Sequence, residues 1–520
     1  MDRKQKLELT WIGKYDEIKV EPRILLEDKS KGYGDPNTEN MLIHGDNLLA
    51  LKALEQDFAG KIKCIYIDPP YNTGNAFEYY DDNLENSIWL NMMYRRIIIL
   101  HKLLREDGVL LINIDETQHA YLKVMVDEVF GRKNFIGDII WKKRKGGGND
   151  SRFIALDHDY ILVYAKNASK DIHKKKWRVS QSDEYLKRYK EIDEHGKRYY
   201  WDTLARDGLQ NPIVVKIECP DGTQITVNSQ KSKDTILEGL ENGTIRIAKG
   251  RNGWTLHHRV YMPEGQVFRS ILDNVGTNKT AGEEMKALFG DAKAFDYPKP
   301  ESLIKELIDL CSNEGDWVLD SFLGSGTTAA VAHKMGRRWI GIELGDHCYT
   351  HCLPRLKAVV DGEQGGISKA VNWQGGGGFR FFELAPSLLK KDKYGNWVID
   401  ERYNADMLAA AMAKHQGFTY APDSEVFWKQ GYSFEKDYIF TTTQFVTLEY
   451  LDLIHQEMAE DESLLICCKA FQDGADQRYE NINVKKIPQV LLNKCDFGVE
   501  SYSLNIVGLP EIDEEVDDNE

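Results

Sequence analysis

The sequence predicts an α/β fold built on a doubly wound, mostly parallel sheet. One pattern in the sequence leads to this prediction. Apolar runs that suit buried strands, such as residues 62–67 and 109–114, alternate with longer segments of helical hydrophobic periodicity. In sheets of this kind ligands lie at the carboxyl ends of the strands. Functional residues are therefore expected where the predicted strands end.

Composition places the chain among ordinary globular proteins. Its 520 residues suffice for several domains, and 42% of them are hydrophobic and 29% charged. No apolar run approaches the roughly 20 residues of a membrane span, and the amino terminus leads into no signal-peptide core. We expect a cytoplasmic protein, bacterial or archaeal, with no membrane association. The eight cysteines form no paired framework and predict reduced thiols.

Charge is distributed unevenly along the chain, whose net charge is −16. Residues 142–190 contain 14 Lys and Arg against 6 Asp and Glu, whereas the last ten residues contain seven acids and no base. A basic stripe on an acidic protein can still bind phosphates. The residues predicted to contact nucleic-acid phosphates are Lys142, Lys143, Arg144, Lys145, Lys174, Lys175, Lys176 and Arg178.

Breaks in the α/β pattern predict five segments. A stretch of mixed character interrupts the pattern after residue 166, with hairpin-like turns at Asp221-Gly222, Asn242-Gly243 and Asn252-Gly253. The pattern resumes near residue 279 and ends after four consecutive glycines. The predicted segments are an amino-terminal extension (1–40), a first α/β half (41–166), an inserted domain (167–278), a second α/β half (279–385) and a carboxyl-terminal domain with an acidic tail (386–520).

The first candidate site is Asp68-Pro69-Pro70-Tyr71, directly after the apolar run 62–67. Neither proline can donate a backbone hydrogen bond to a continuing strand, so the strand must end at Asp68. A carboxylate, backbone carbonyls and an aromatic ring then lie together at the strand end. These groups suit a nucleobase, because the ring can stack on it while the Asp68 carboxylate and the Pro69 carbonyl accept from its exocyclic amine. A simple strand-ending turn is the alternative.

The second candidate site is a glycine loop between the predicted strand 317–320 and a helix. Gly324 and Gly326 allow close approach of a ligand to the backbone, and the helix begins near Thr327. Thr327 occupies the position of the P-loop lysine, which argues against a nucleotide triphosphatase. Glu343 ends the next strand, where an acid commonly accepts from ribose hydroxyls of an adenosine-containing cofactor; an ordinary surface acid is the alternative.

These residues resemble the amino-methylating DNA methyltransferases that use S-adenosylmethionine. Asp68-Pro69-Pro70-Tyr71 matches the catalytic motif of that family, and residues 322–328, Phe-Leu-Gly-Ser-Gly-Thr-Thr, match its cofactor loop. The catalytic motif precedes the cofactor loop, which is similar to the circularly permuted beta class. The ensemble, including Gly375–Gly378 and Phe379-Arg380, is most similar to the modification subunits of type III restriction-modification systems.

The resemblance implies a Rossmann-like methyltransferase fold in which the insertion is a target-recognition domain. It implies transfer of a methyl group from S-adenosylmethionine to adenine N6 in double-stranded DNA, after base flipping. The catalytic residues would be Asp68, Pro69, Pro70 and Tyr71. The cofactor-binding residues would be Asp46, Lys299, Pro300, Leu303, Asp320, Phe322, Gly324, Gly326, Thr327 and Glu343. The histidine usual before Lys299-Pro300 is replaced here by residues 295–298, Phe-Asp-Tyr-Pro.

Other interpretations remain open. Cytosine N4 is the alternative target, although an acid before Pro-Pro-Tyr favours adenine in this family; RNA is a less favoured substrate. The chain could also be a DNA-recognition subunit that is active only with a partner. We expect a homodimer and a separate ATP-dependent restriction subunit. No metal is expected: the ligand-type residues of 347–352 lie at helical spacing in a predicted core helix, without a second ligand pair.

Overall fold

The structure is a computed structural model, and it divides into two compact units. The first unit is Met1–His173 with Arg269–Glu520, and the second is Lys174–Phe268. The second unit lies inside the predicted inserted domain, and the predicted carboxyl-terminal domain belongs to the first unit. The residues that the structure describes are 8–16, 19–71, 86–146, 153–169, 177–179, 183–204, 211–250, 253–263, 265–434, 436–492 and 494–498.

The amino-terminal part of the first unit alternates strands and helices. Its strands are β1 (Leu25–Glu27), β2 (Tyr33–Gly34), β3 (Met41–His44), β4 (Ile62–Ile67), β5 (Leu104–Ile114), β6 (Phe135–Lys142) and β7 (His158–Ala165). Its helices are α1 (Asn47–Phe58), α2 (Asn86–Leu103) and α3 (Glu116–Phe130). Every residue of β4 is buried, and the strand ends at Ile67 before the two prolines. Helix α1 begins after Asp46, whose Oδ1 accepts hydrogen bonds from the amides of Leu48 and Leu49.

The second unit is mostly antiparallel. Its strands are β8 (Arg178–Val179), β9 (Glu191–Ile192), β10 (Arg198–Thr203), β11 (Ile213–Glu218), β12 (Gln224–Ser229), β13 (Ile245–Gly250), β14 (Gly253–Tyr261) and β15 (Gln266–Val267), and its helices are α4 (Asp183–Leu186) and α5 (Lys233–Glu241). Four strands form a sheet in the order β13-β14-β10-β9, and β11 pairs with β12.

Two of the three predicted turns can be compared with this unit. Asp221-Gly222 connects β11 to β12, as predicted. The prediction for Asn242-Gly243 was wrong, because Asn242 ends helix α5 by donating its backbone N–H to the carbonyl of Glu238. Asn252 lies outside the described residues.

The α/β pattern of the first unit resumes after the insertion. Its strands are β16 (Ile271–Leu272), β17 (Trp317–Asp320), β18 (Arg338–Glu343) and β19 (Gly378–Leu384). Its helices are α6 (Asn278–Phe289), α7 (Glu301–Cys311), α8 (Thr327–Lys334) and α9 (Leu353–Val360), with a π-helical turn at Cys348–Cys352.

One sheet forms the centre of the first unit. Among the described residues its strand order is β1-β19-β3-β18-β17-β4-β5-β7-β6-β16, with β2 paired to β19. The pairings from β19 through β5 are all parallel, which confirms the predicted α/β class. Strand β7 is antiparallel to both β5 and β6, so the sheet is mixed on that side. Its core is lined by buried Ile, Leu, Met and Trp side chains from both halves of the sequence.

The carboxyl-terminal part of the first unit contains a second sheet. Its elements are β20 (Leu389–Lys391), β21 (Trp397–Ile399), α10 (Ala405–Gln416), β22 (Thr419–Tyr420), β23 (Gly431–Tyr432), β24 (Asp437–Val446), α11 (Leu448–Glu457), β25 (Ser463–Phe471) and β26 (Ile482–Lys486). Strands β22 to β26 pair in sequence order. A core cluster of this part also contains Ile24, which lies beside β1. The acidic tail lies outside the described residues. None of the helices that the structure describes is long and apolar enough to span a membrane.

Candidate active site

Three acids lie at one edge of the central sheet. Asp68 follows β4, Asp320 ends β17 and Glu343 ends β18, and these three strands are parallel neighbours. Parallel neighbours end at the same edge, so pairing of the strands brings together carboxylates that are up to 275 residues apart by number (343 minus 68).

A cavity of about 270 Å³ opens at this edge, between Asp68 and the loop after β17. Its lining combines both candidate sites of the sequence with two residues directly after β6, one residue of β7 and one residue of α6. The lining residues are Tyr66, Asp68, Pro69, Pro70, Tyr71, Asp115, Lys143, Arg144, Asp159, Asn278, Phe295, Asp296, Tyr297, Pro298, Lys299, Asp320, Phe322, Leu323, Gly324, Ser325, Thr327 and Thr328.

The Asp68 carboxylate faces this cavity and accepts hydrogen bonds from three side chains. The Tyr71 hydroxyl donates to Oδ1 at 2.7 Å, and the Asn113 amide donates to the same oxygen at 3.3 Å. The Lys299 ammonium donates to Oδ2 at 2.5 Å. A carboxylate has about four acceptor positions, so these donors leave about one on Asp68 for a ligand.

Neighbouring side chains fix the rest of the Asp68 motif. The indole N–H of Trp89, which is fully buried, donates to the Pro70 carbonyl at 2.6 Å. Asn113 also donates to the Tyr71 hydroxyl. The Lys299 ammonium lies 5.4 Å from the centre of the Tyr71 ring, within the range of a cation–π contact. Burial and the Asp68 charge raise the pKa of Tyr71, so its hydroxyl stays protonated as a hydrogen-bond donor.

The glycine loop is tied to both neighbouring strands. Gly324 adopts a φ of +56°, and a Cβ there would lie 3.4 Å from the Phe295 ring. Its amide donates to Glu343 Oε2 at 2.7 Å. The other oxygen of Glu343 accepts from the amides of Leu344 and Gly345 at 2.7 and 3.1 Å. Glu343 therefore holds the loop against β18.

Asp320 is a buried carboxylate at the cofactor-loop end of the cavity. Its Oδ1 accepts from the Phe322 amide at 2.9 Å, and the residue is 2% exposed. Burial raises its pKa to about 7, and the charges of Asp68 and Glu343 also raise it. Hydrogen bonds from Thr328 and from the Phe322 amide lower the pKa but do not offset this rise. Asp320 can therefore exchange a proton near neutral pH.

A buried ion network lies behind the cavity. Arg355 donates to the Thr327 hydroxyl at 2.8 Å and to a Glu301 carboxylate oxygen at 2.8 Å. Glu301 also accepts from Lys334 at 2.7 Å. Burial raises the pKa of Glu301, but the charges of Arg355 and Lys334 outweigh it and hold the pKa below the ordinary range. The network connects the glycine loop to the first residue of α7, directly after Lys299-Pro300.

The structure separates the predicted cofactor residues into two sets. Lys299, Asp320, Phe322, Gly324 and Thr327 line the cavity. The others are not among its lining residues: Asp46 caps α1, Pro300 caps α7, Leu303 is fully buried, and Gly326 and Glu343 support the loop. For this second set a direct cofactor contact stays a prediction.

The predicted phosphate-contacting residues are also separated. Lys142 and Lys145 are exposed, and Arg144 lies at the cavity. Lys143 lines the cavity and donates to Asp159 Oδ1 at 2.6 Å, so its ammonium already has a protein partner. Arg178 is exposed in the second unit, whereas Lys174, Lys175 and Lys176 lie outside the described residues.

Comparison with known proteins identifies the family. The profile of the family described as DNA methylase matches residues 62–352, more than half of the chain. The chain belongs to the DNA methylase family. The match begins at β4 and ends in the helical segment after Glu343, so it includes both motifs of the cavity. It confirms the resemblance that the two motifs indicated.

Relatives of this DNA methylase include type III restriction-modification proteins. It is 35% identical over 416 residues to the probable type III restriction-modification enzyme HindVI Mod subunit of Haemophilus influenzae, covering 69% of this chain and 56% of that protein. It is 33% identical to the StyLTI Mod subunit of Salmonella typhimurium, covering 60% and 51%. The EcoP15I Mod subunit of Escherichia coli is 27% identical, with 75% and 73% covered. The chain thus spans little more than half the length of the first two relatives.

Solved structures also match this DNA methylase. The PvuII DNA methyltransferase, described as cytosine-N4-specific, aligns with a TM-score of 0.34 at 15% identity, covering 65% of this chain and 90% of that one.

Sequence reasoning missed four residues of the methylase cavity and its support. Asn113 lies within the apolar run 109–114, and an amide inside a buried strand was the available signal. Asp115 and Asp159 lie at the ends of predicted strands, and both face the cavity. Burial and the neighbouring Glu116 raise the pKa of Asp115 to about 6. No local sequence pattern indicated Arg355, because its hydrogen-bond partners are distant in sequence.

Proposed function

We propose that this DNA methylase transfers a methyl group from S-adenosylmethionine to adenine N6 in double-stranded DNA. The observation that carries the proposal is the position of Asp68 and Tyr71, which face the glycine loop at Gly324 across one cavity. The site thus contains a hydrogen-bond acceptor for an amine, an aromatic ring on which a base can stack, and a loop that can bind a cofactor.

The residues of the glycine-loop end suit S-adenosylmethionine. Gly324 leaves space beside Phe295 that a Cβ would partly fill, so a ligand can approach the backbone closely. The buried Asp320 carboxylate can accept from an ammonium or a hydroxyl, and the rings of Phe295 and Phe322 offer apolar surface. When bound, the cofactor supplies a methyl group already activated by its sulfonium, so this chain need not activate the electrophile.

The chain's own task is to prepare the nucleophile. The lone pair of adenine N6 is delocalised into the ring, which makes the amine a poor nucleophile. A hydrogen bond from N6 to the remaining acceptor position of Asp68, and a second to the Pro69 carbonyl, would orient the nitrogen toward the methyl group. Lys299 and Tyr71 hold the carboxylate in place, so little reorganisation accompanies the reaction. The surplus N6 proton leaves to water after transfer.

The target base must leave the duplex to reach this cavity. Stacking of a base on an aromatic ring contributes about 1–3 kcal/mol, comparable with the few kcal/mol that extrusion costs. The Tyr71 ring at the cavity is the platform in this proposal. Phosphates of the DNA would contact Lys142, Arg144 and Lys145, which position the enzyme without specifying sequence.

We further infer that the chain acts as the modification subunit of a type III restriction-modification system. Relatives with Mod in their names at 35% and 33% identity support this inference. It would then function as a homodimer beside a separate ATP-dependent restriction subunit. A soluble, cytoplasmic protein fits that role.

The test is methylation of DNA that carries no methyl groups. Purified protein is incubated with S-adenosylmethionine and amplified genomic DNA, and modified bases are mapped by single-molecule sequencing and identified by mass spectrometry of nucleosides. We expect N6-methyladenine confined to one short motif. N4-methylcytosine instead, or no modified base with bound cofactor, would refute the proposal.

A matched pair of variants locates the chemistry. Asp68→Ala removes the acceptor of the amine and should abolish transfer while DNA affinity stays within about twofold. Asp157→Ala, which changes an acid outside the cavity lining on the loop before β7, is the control and should retain transfer. DNA affinity falling as steeply as turnover in Asp68→Ala would contradict the assignment.

A further inference from the structure

One face of the four-stranded sheet in the second unit carries a ladder of aromatic and cationic side chains. Side chains alternate between the faces of a strand, so Tyr199 and Trp201 of β10 share a face. In the pairing of β10 with β14, Trp201 lies opposite Arg259. In the pairing of β13 with β14, Arg246 lies opposite His257, two residues before Arg259. The ladder is thus Arg246, Trp201, Arg259 and Tyr199.

The members of this ladder stack on one another. The Arg246 guanidinium lies 4.2 Å from the Trp201 ring centre, and the Arg259 guanidinium lies 5.8 Å from the same ring and 4.8 Å from Tyr199. Stacking on an indole holds the planar guanidinium of Arg246 in a fixed orientation. An arginine held in this way loses less side-chain freedom when it donates to a ligand.

The opposite face of β13 and β14 carries apolar core residues. Ile245 of β13 and Leu256 of β14 are buried and belong to the core of the second unit. The ladder lies on the other face of the sheet, where Arg246 is exposed and Tyr199 is buried. Strand β13 is the edge strand of the four-stranded sheet, and it pairs antiparallel with β14, whose other side pairs with β10. Strands of a sheet can enter the major groove of DNA.

The charges on the ladder single out Arg246. Glu194 pairs with Arg259 at 3.2 Å, and Glu191 accepts from the Trp201 indole at 3.0 Å. These two acids occupy the β9 side of the sheet. Within the described part of the chain the Arg246 side chain has no hydrogen bond or ion pair, and its contact is the stacking on Trp201. It is the ladder cation whose donors are available to a ligand.

We propose that the β13 edge of this sheet reads the major groove of double-stranded DNA, with Arg246 donating both of its outer N–H groups to one guanine edge. Arginine to guanine O6 and N7 is the commonest specific contact in that groove, and its fork geometry matches the two acceptors. The inference rests on the proposed function, since it assigns the sequence-reading surface of the same methylase. Glu194 and Glu191 hold the remaining ladder residues in place behind the contact.

Selection of bound duplexes tests this contact without requiring methyl transfer. The full chain is mixed with a library of random duplexes, bound DNA is recovered and sequenced, and the enriched motif is compared among variants. Arg246→Lys keeps the charge but loses the fork. Arg188→Lys is the matched control, because Arg188 is an exposed arginine that stacks on Tyr200, whose side chain points to the other face of β10.

Wild type should enrich a motif that contains guanine. Arg246→Lys should lose about 10- to 100-fold preference for guanine at one position and retain the other positions. Arg188→Lys should enrich the wild-type motif. Arg246→Gln, which also lacks the charge, should lose the same guanine and bind more weakly. Thermal unfolding of each variant verifies the fold.

The inference is overturned if Arg246→Lys enriches the wild-type motif at every position, or if wild type enriches no motif. Failure of the proposed function gives a different result, in which a motif is enriched and depends on Arg246 but no base in it becomes methylated. An equal loss in Arg188→Lys would also overturn the inference, since it would mean that stacked arginines act through the stability of the sheet.

Discussion

Replacing Tyr71 separates the roles of its hydroxyl and its ring. Tyr71→Phe removes the donor that lies 2.7 Å from Asp68 Oδ1 and keeps the ring. A hydrogen bond to a charged group contributes about 1.5–3 kcal/mol, and each 1.36 kcal/mol is a factor of ten in rate. Asn113 and Lys299 still hold the carboxylate, so we expect the lower end of this energy range. The rate of the methyl-transfer step should then fall by about tenfold.

Tyr71→Ala removes the ring as well. Loss of base–aromatic stacking, about 1–3 kcal/mol, should weaken binding of the flipped base by a further 5- to 150-fold. The assay is single-turnover methyl transfer together with fluorescence of 2-aminopurine placed at the target adenine, which brightens when the base leaves the stack. Tyr71→Phe should retain the fluorescence rise and Tyr71→Ala should lose it. Equal losses in the two variants, or a full fluorescence rise in Tyr71→Ala, would refute the role of the ring.

Three further predictions follow from the buried charges. The pKa of Asp320 is raised to about 7, so its carboxylate loses its proton and becomes an acceptor between pH 6 and pH 8. Cofactor affinity measured by calorimetry should therefore rise over this pH range, and Asp320→Asn should abolish the pH dependence. Burial and the Glu301 charge raise the pKa of Glu284 to about 7 from its ordinary 4.5, so the free energy of unfolding should fall as pH rises from about 4.5 to 7. In urea unfolding, Glu284→Gln should be more stable than wild type at pH 8, by on the order of 2 kcal/mol, and about as stable as wild type at pH 5. Arg355→Met should lower the free energy of unfolding by about 3–5 kcal/mol, because it leaves the Glu301 carboxylate buried beside a single cation. Adding Glu301→Met should recover part of this loss of stability, and an additive loss in the double variant would contradict the pairing.

The strands that carry the candidate site could be predicted because burial leaves a local signal. Residues 62–67 form an uninterrupted apolar run, and the prolines that follow end the strand by removing backbone donors. The glycine loop has an equally local signal, since Gly324 and Gly326 both adopt positive φ values. The residues of each motif therefore predict where the chain turns.

Contacts across the sheet could not be predicted in the same way. Whether Asn113 reaches Asp68 depends on the pairing of β4 with β5, and the antiparallel direction of β7 is not encoded in its apolar run. Glu343 shows the same limit: its position at a strand end was predicted, but its hydrogen bond to the Gly324 amide depends on a neighbouring strand. The membership of the carboxyl-terminal sheet in the first unit likewise depends on packing near Ile24.

The buried network explains how the two motifs can act as one site. Thr327 of the glycine loop is hydrogen-bonded to Arg355, which pairs with Glu301 at the start of α7. Two residues earlier, Lys299 pairs with Asp68. Removing one partner from a buried pair costs several kcal/mol, so these links resist separation. The cofactor loop and the catalytic carboxylate, which lie on different strands, are therefore held in a fixed relation by Arg355 and Glu301, which do not line the cavity, together with Lys299, which does.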